Sequence, residues 1–473
     1  MSAIGTGIDL DLSQRAGAPF ISLMPAQTVM LVAGDSLAAQ AANGSQHPLM
    51  WAVRKGAFDL NFNFRLHNIG VGSTTTDANA TPINVSNPKP ESPKAGLIHP
   101  DRIARDTGYV TSTGAKVLLL DVGTNSVPNG GAATPFANVQ SYVQAMRAAG
   151  IERVIVGTLQ PRMSGTATPT VYMSTTQAQR CRDFNALLLA WAASDSAIHV
   201  YDGSAREVDP AKTAEYGPIG DGSNTLPGSS TVDGVHWGAA HSARREDELV
   251  AALGKIFPVR AARPYSTAAE YNWSLNRYRN ILGAQAGFSG AGSRNPATGG
   301  PTGSFGAGWI GNSGVALPSG ITVVGSQVQI LYDAQLRDAV KVTFSGTPAN
   351  DFNFMLQKSV AVPVGTDADN KLRMDGSEKL LHEWTFELDE LGGCNGIVAD
   401  LLIGAPGAVG NNMAGGARFL PVLDGRYVWR EPSGSPVTAA NTSCTPRLIL
   451  SFRGGHPASG SITFIHAFLG HVA

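Results

Sequence analysis

Short apolar runs separated by amphipathic stretches fill the chain from Thr28 to Phe257, and that alternation predicts a parallel sheet with helices packed on it. The runs fall near Val29–Ala33, Phe64–Val71, Lys116–Asp121, Arg153–Leu159 and Ile198–Tyr201. Five strands suffice for a flavodoxin-like α/β sheet. Between them Phe136, Val139, Val143 and Met146 recur at helical spacing, and Gly150 supplies a stop. Ser174 and Gln177 form a capping box ahead of a helix carrying Ala178, Cys181, Phe184, Leu188 and Trp191 on one face. Leu249, Val250, Leu253 and Ile256 mark a last helix, which Pro258 closes.

From Ala261 the pattern changes. Gly, Ser, Thr, Ala and Pro crowd residues 283–320, and alternating runs follow at Ile321–Ile330, Lys341–Phe344, Trp384–Leu388 and Arg447–Phe452. Short strands between turn signals predict an all-β sandwich of the jelly-roll type. Residues 1–27 show no clear periodicity, so the chain divides into an arm (1–27), an α/β unit (28–260) and a β-rich unit (261–473). Two long loops interrupt the α/β unit. Residues 77–100 are rich in Pro, Asn and Ser and should leave the sheet at its carboxyl edge, as a rim over a site or a plain excursion. Residues 208–232 run directly into Asp233.

Composition narrows the classes. Thirty-five basic residues against 36 acidic give a net charge of −1, and no basic block stands out, so nucleic acid is not an expected partner. No run of about 18 apolar residues occurs, so no transmembrane helix and no membrane partner are expected. The first residues lack a basic start and an apolar segment, so no signal peptide is visible. That fits a chain cytoplasmic when made, a mature form, or a virion component released by lysis. Cys181 reads as a small buried apolar group, and the sequence leaves open whether Cys394 and Cys444 pair.

The chemistry gathers at run ends. In Met30–Ala39, MLVAGDSLAA, Gly34 permits a sharp turn and Ser36 sits where strand passes to helix. A serine is a poor nucleophile until a base takes its proton and positive dipoles receive the oxyanion. Three later segments offer such partners: His67-Asn68-Ile69-Gly70-Val71-Gly72-Ser73-Thr74-Thr75, Val117-Leu118-Leu119-Leu120-Asp121-Val122-Gly123-Thr124-Asn125, and Asp233-Gly234-Val235-His236. Taken together and in this order, with Gly34-Asp35-Ser36-Leu37, they resemble the four motif blocks of the SGNH (GDSL) hydrolase family.

The resemblance implies a role for each block. Ser36 would be the nucleophile, His236 the general base and Asp233 the carboxylate that orients it. The Asn125 carboxamide and the backbone N–H groups of Ser36 and of Gly72 or Ser73 would form the oxyanion hole. Counted from Asn68, the donating glycine of many members falls on Ser73, whereas Gly72 fits by residue type. No cofactor is implied.

Other candidates are weaker. Arg162, after the fourth run, could touch substrate, and Trp237 and Trp51 could stack on sugars. His241 lies off the spacing that would share a metal with His236, and Asp367, Asp369, Asp375 and Glu378 faintly resemble a calcium loop without its glycine, so no metal is expected. Residues 288–309 followed by Leu317-Pro318-Ser319-Gly320 loosely resemble jelly-roll modules appended to carbohydrate-active and phage tail proteins. The expectation is a serine esterase acting on an acylated carbohydrate, best an O-acetylated polysaccharide, with the β-unit binding glycan or mediating assembly, self-association included. The rivals are a lipase, thioesterase or polyester hydrolase, and a virion or cell-surface glycan-binding protein with a vestigial site.

Overall fold

The structure, a computed structural model, describes residues 23–39, 47–60, 67–78, 96–166, 168–220, 229–261, 281–282, 287–290, 292–294, 299–361, 380–403, 408–412, 420–432 and 443–471. In its first half the elements run β1 (Met30–Gly34), α1 (Ser36–Ala39), α2 (Pro48–Gly56), α3 (Pro100–Thr113), β2 (Val117–Asp121), α4 (Val127–Gly130) and α5 (Ala133–Ala148). Then come β3 (Arg153–Gly157), a hairpin of β4 (Met163–Gly165) and β5 (Thr168–Tyr172), α6 (Thr175–Ser194), β6 (Ile198–Tyr201), α7 (Ser204–Glu207), α8 (Ala239–Arg244) and α9 (Glu246–Gly254).

Strands β1, β2, β3 and β6 form a parallel sheet in that spatial order, the flavodoxin-like arrangement the apolar runs predict. Each strand is apolar on both faces because helices cover both. Leu31, Ala33, Leu118, Leu120, Val154 and Val156 point to one core with Val139, Val143, Met146, Phe184 and Leu188. Met30, Val32, Val117, Leu119 and Ile155 point to the other with Leu49, Ala52, Leu249 and Leu253. The expected Phe64–Val71 strand is only partly seen. Residues 61–66 lie outside the described ones, and beyond them Asn68 makes a single parallel bridge with Val32. There the Asn68 side chain bonds Ala38 O (3.1 Å), Ala39 O (3.3 Å) and Gly70 N (2.9 Å).

The second half holds two sheets that are antiparallel except for short parallel edge strands. One runs in the order Leu423–Pro432, Leu380–Gly392, Ser459–His471, Gln335–Gly346, Ile321–Tyr332 and Thr302–Gly303. The other runs Ala408–Asn412, Cys394–Ile403, Ser443–Phe452, Phe352–Gln357, Ile310–Asn312 and Ser293–Arg294. Ser443–Phe452 alternates between half-buried and buried along its whole length, the period of a strand with one face on a core. Phe288, Trp309, Trp384, Phe344, Phe354, Phe452 and Phe464 fill that core. Cys394 pairs opposite Phe452 and Cys444 opposite Ile403, at the two ends of one ladder, so no disulfide joins them. The acidic candidates at 367, 369, 375 and 378 and most of the 77–100 loop lie outside the described residues.

The two halves meet on α2 and α8. Trp51, Ala239 and Ala243 belong to the same hydrophobic cluster as the sandwich core. Arg54 lies 4.0 Å over the Trp429 ring, and Arg430 bonds Asp59 at 3.2 Å.

Candidate active site

Gly34 ends β1 at φ +132°, and a Cβ there would stand 1.8 Å from Asp121 O, so only glycine lets the strand end press against β2. The next residue, Asp35, donates its N–H to Asp121 O at 2.9 Å, and its Oδ1 accepts from Leu37 N at 2.9 Å. Ser36 thereby starts α1 just beyond the carboxyl edge of the sheet. Full burial, with the Asp121 carboxylate nearby, pushes the Asp35 carboxyl up to about 7.

Ser36 Oγ lies 2.9 Å from Nε2 of His236, and Nδ1 of His236 lies 2.7 Å from Asp233 Oδ2. The other Asp233 oxygen accepts from the backbone N–H groups of Val235 (3.1 Å) and His236 (2.8 Å). Partial burial pushes this carboxyl up, but bonds from the His236 ring and backbone outweigh it and pull it to about 2. An ionised Asp233 accepts the Nδ1 proton, which leaves Nε2 as the acceptor for the Ser36 hydroxyl. His236 is 27% exposed, so a substrate can reach the pair.

The turn that carries them is fixed from behind. Val232 N bonds His236 O at 2.8 Å, and Gly238 N bonds Ser230 O at 2.9 Å. Ser230 Oγ, His241 Nδ1 and Arg244 all converge on the buried carboxylate of Glu207 at 2.6–3.0 Å. His241 is thus a structural partner of Glu207. Among the described residues, no cluster of three or more His, Cys, Asp or Glu could hold a metal ion.

On the other side of the nucleophile, Val71 N bonds Gly34 O at 3.1 Å, tying the 71–74 turn to the end of β1. Thr74 N closes that turn on Val71 O at 3.4 Å, with exposed Ser73 at φ +60°. Asn125, also exposed, gives one amide hydrogen to Thr74 O at 3.0 Å and keeps the other. Among the described residues, no hydrogen bond occupies the backbone N–H of Ser36, Gly72 or Ser73. These unspent donors and the second Asn125 hydrogen are the groups an oxyanion could use.

Two weaker expectations are corrected. Trp237 is buried, stacked on His241 at 5.0 Å and set against His47 at 5.4 Å, so it offers no face to a sugar. Trp51 is buried against Tyr427 and does not either. Arg162 is 9% exposed and bonds backbone carbonyls rather than facing solvent.

Sequence reasoning overlooked the polar struts below the site. Arg102 is buried in α3 and bonds Asp106 (2.6 Å), Gly34 O (3.3 Å), Ile69 O (3.3 Å) and Thr74 Oγ1 (3.1 Å). His47 caps α2 by accepting from Leu49 N at 3.1 Å on Nδ1, so its Nε2 carries the proton donated to Asp121 Oδ2 at 3.0 Å. Tyr201 donates its hydroxyl to the other Asp121 oxygen.

No protein-family model matches the chain, and no curated protein matches it. Solved structures similar to it include hydrolases that each cover about half of it. The lipase/acylhydrolase from Enterococcus faecalis is 16% identical over 50% of this chain and 100% of that one, with a TM-score of 0.31. A carbohydrate acetylesterase family member from Sinorhizobium meliloti is 13% identical over 47% and 96%, TM-score 0.32. The M. smegmatis aryl esterase is 12% identical over 49% and 100%, TM-score 0.32. At these scores the likenesses carry no weight on activity or substrate.

Proposed function

We propose that the protein is a serine ester hydrolase and that its substrate is an O-acetylated polysaccharide. The observation that carries the reading is the Ser36 Oγ to His236 Nε2 distance of 2.9 Å, with Asp233 bonded behind the ring. Ser36 Oγ attacks the acyl carbonyl while His236 Nε2 takes its proton. The oxyanion rests on the free N–H groups of Ser36 and of Gly72 or Ser73 and on the Asn125 amide. Collapse expels the alcohol, which leaves with the proton from His236, and water then repeats the two steps on the acyl-enzyme.

The polymer part of the reading is supported by exposure: Ser73 and Asn125 are both open to solvent, as access for an extended chain requires. The test compares wild type and Ser36→Ala on p-nitrophenyl acetate and then on acetylated glycans. Release by wild type alone supports the reading, and equal rates remove Ser36 from the mechanism. A preference for long acyl chains would move the substrate to lipid.

A further inference from the structure

Arg162 follows β3 and is almost wholly buried, yet among the described residues it makes no ion pair. Its Nη1 donates to Thr124 O at 2.6 Å and to Thr124 Oγ1 at 2.8 Å. Its Nε donates to Met163 O at 3.0 Å and Nη2 to Ser164 O at 3.2 Å. Thr124 immediately precedes Asn125. Met163 N in turn donates to Gly234 O at 2.7 Å, inside the turn that carries Asp233 and His236. One planar cation therefore spans the segment bearing Asn125 and the hairpin that braces the base.

The Asp35 and Asp233 carboxylates act on this cation without touching it, and burying a guanidinium with no carboxylate in contact is costly, whereas a neutral side chain would fill the same space without that cost. What the guanidinium adds is a rigid fork with several donors at fixed angles, which a lysine ammonium cannot reproduce across two segments. Asn125 itself is exposed, and among the described residues its side chain has one anchor, the bond to Thr74 O. Its carboxamide would swing without a fixed backbone beneath it.

We propose that Arg162 is a positioning residue for the esterase reaction, holding the Asn125 carboxamide at the oxyanion through Thr124 while anchored on Met163 and Ser164. This rests on the esterase reading above. It differs from a substrate contact, which would act on KM, and from a general strut, whose loss would not depend on Asn125.

The experiment measures kcat and KM on p-nitrophenyl acetate for wild type, Arg162→Lys, Asn125→Ala and the double variant. Arg162→Lys should lower kcat by about 10- to 100-fold with KM within about twofold. In the Asn125→Ala background the same change should cost less than about threefold, because the group it positions is gone. Thr124→Val, which removes one acceptor and keeps the volume, should show a smaller kcat loss with the same dependence on Asn125, and carries the test if Arg162→Lys does not fold. Equal losses in both backgrounds, an unchanged kcat, or an effect confined to KM would overturn the proposal. Those outcomes in an enzyme whose turnover needs Ser36 sink this inference alone; a wild type without Ser36-dependent turnover sinks the esterase reading and this with it.

Discussion

The hydroxyl of Tyr427 donates to Oε1 of Glu246 across 2.5 Å, joining the sandwich strand Leu423–Pro432 to the first turn of α9. The same carboxyl oxygen takes Lys55 Nζ at 2.8 Å, and Trp51 meets the Tyr427 ring edge-on at 6.5 Å. The sandwich is thus fastened to α2 and α9 by a buried polar bond set among aromatic contacts, with α8, close behind His236, in the same hydrophobic cluster.

Tyr427→Phe keeps the ring and removes the donor from a buried acceptor. It should lower stability by about 1–3 kcal/mol in denaturant titrations, the usual cost of such a bond. A change of a few tenths of a kcal/mol would mean the contact is not formed in solution.

Asp233, ionised above about pH 2, should hold the His236 tautomer across the whole working range. Asp233→Asn should cut kcat by about a thousandfold to ten-thousandfold while leaving KM nearly unchanged. A loss under tenfold in steady-state assays would take this carboxylate out of the mechanism.

His382 faces the sandwich core with neither ring nitrogen bonded, and burial pushes its pKa down to about 4. Between that value and the usual one near 6.5 the unfolded chain binds the extra proton, so stability is full above about 6.5 and is lost as pH falls through about 4. The group accounts for about 3 kcal/mol over that window. Melting temperatures of His382→Leu should fall less between pH 7 and 4 than those of wild type. Parallel curves would contradict this.

Burial pushes the thiols of Cys181, Cys394 and Cys444 up to about 12. All three should stay silent to a disulfide reagent in the native protein and all should react after denaturation, with no change in melting temperature on reduction. Fewer than three thiols after denaturation would reveal a bridge.

The parallel strands were legible because burial on both faces writes them as unbroken apolar runs, Met30 and Val32 serving one core and Leu31 and Ala33 the other. Of the Phe64–Val71 run, residues 64–66 lie outside the described residues, and past them Asn68 pairs with Val32 while its side chain bonds Ala38 O and Gly70 N, polar bonds that hydrophobic patterning cannot register. The four motif blocks brought Ser36, Asn125, Asp233 and His236 to notice; Ser36 opens α1, Asn125 follows β2, and Asp233 and His236 lie in the turn before α8. The struts beneath them left no such trace. Arg102 with Asp106 reads as an ordinary pair one helical turn apart, and only packing turns it into a buried tie to Gly34 and Thr74. Trp237 likewise reads as a platform beside His236 until His241 is found stacked on it. A separation of 50 positions between Cys394 and Cys444 says nothing of register, which sets them at opposite ends of a ladder.

The most direct measurement of the central claim is reaction of the folded protein with a fluorophosphonate, followed by intact mass and peptide mapping. The account predicts one phosphonyl adduct per chain, on Ser36, absent from Ser36→Ala and formed at least about a thousandfold more slowly in His236→Asn. An adduct on another residue, or labelling of Ser36 at the same rate without the imidazole, would contradict it.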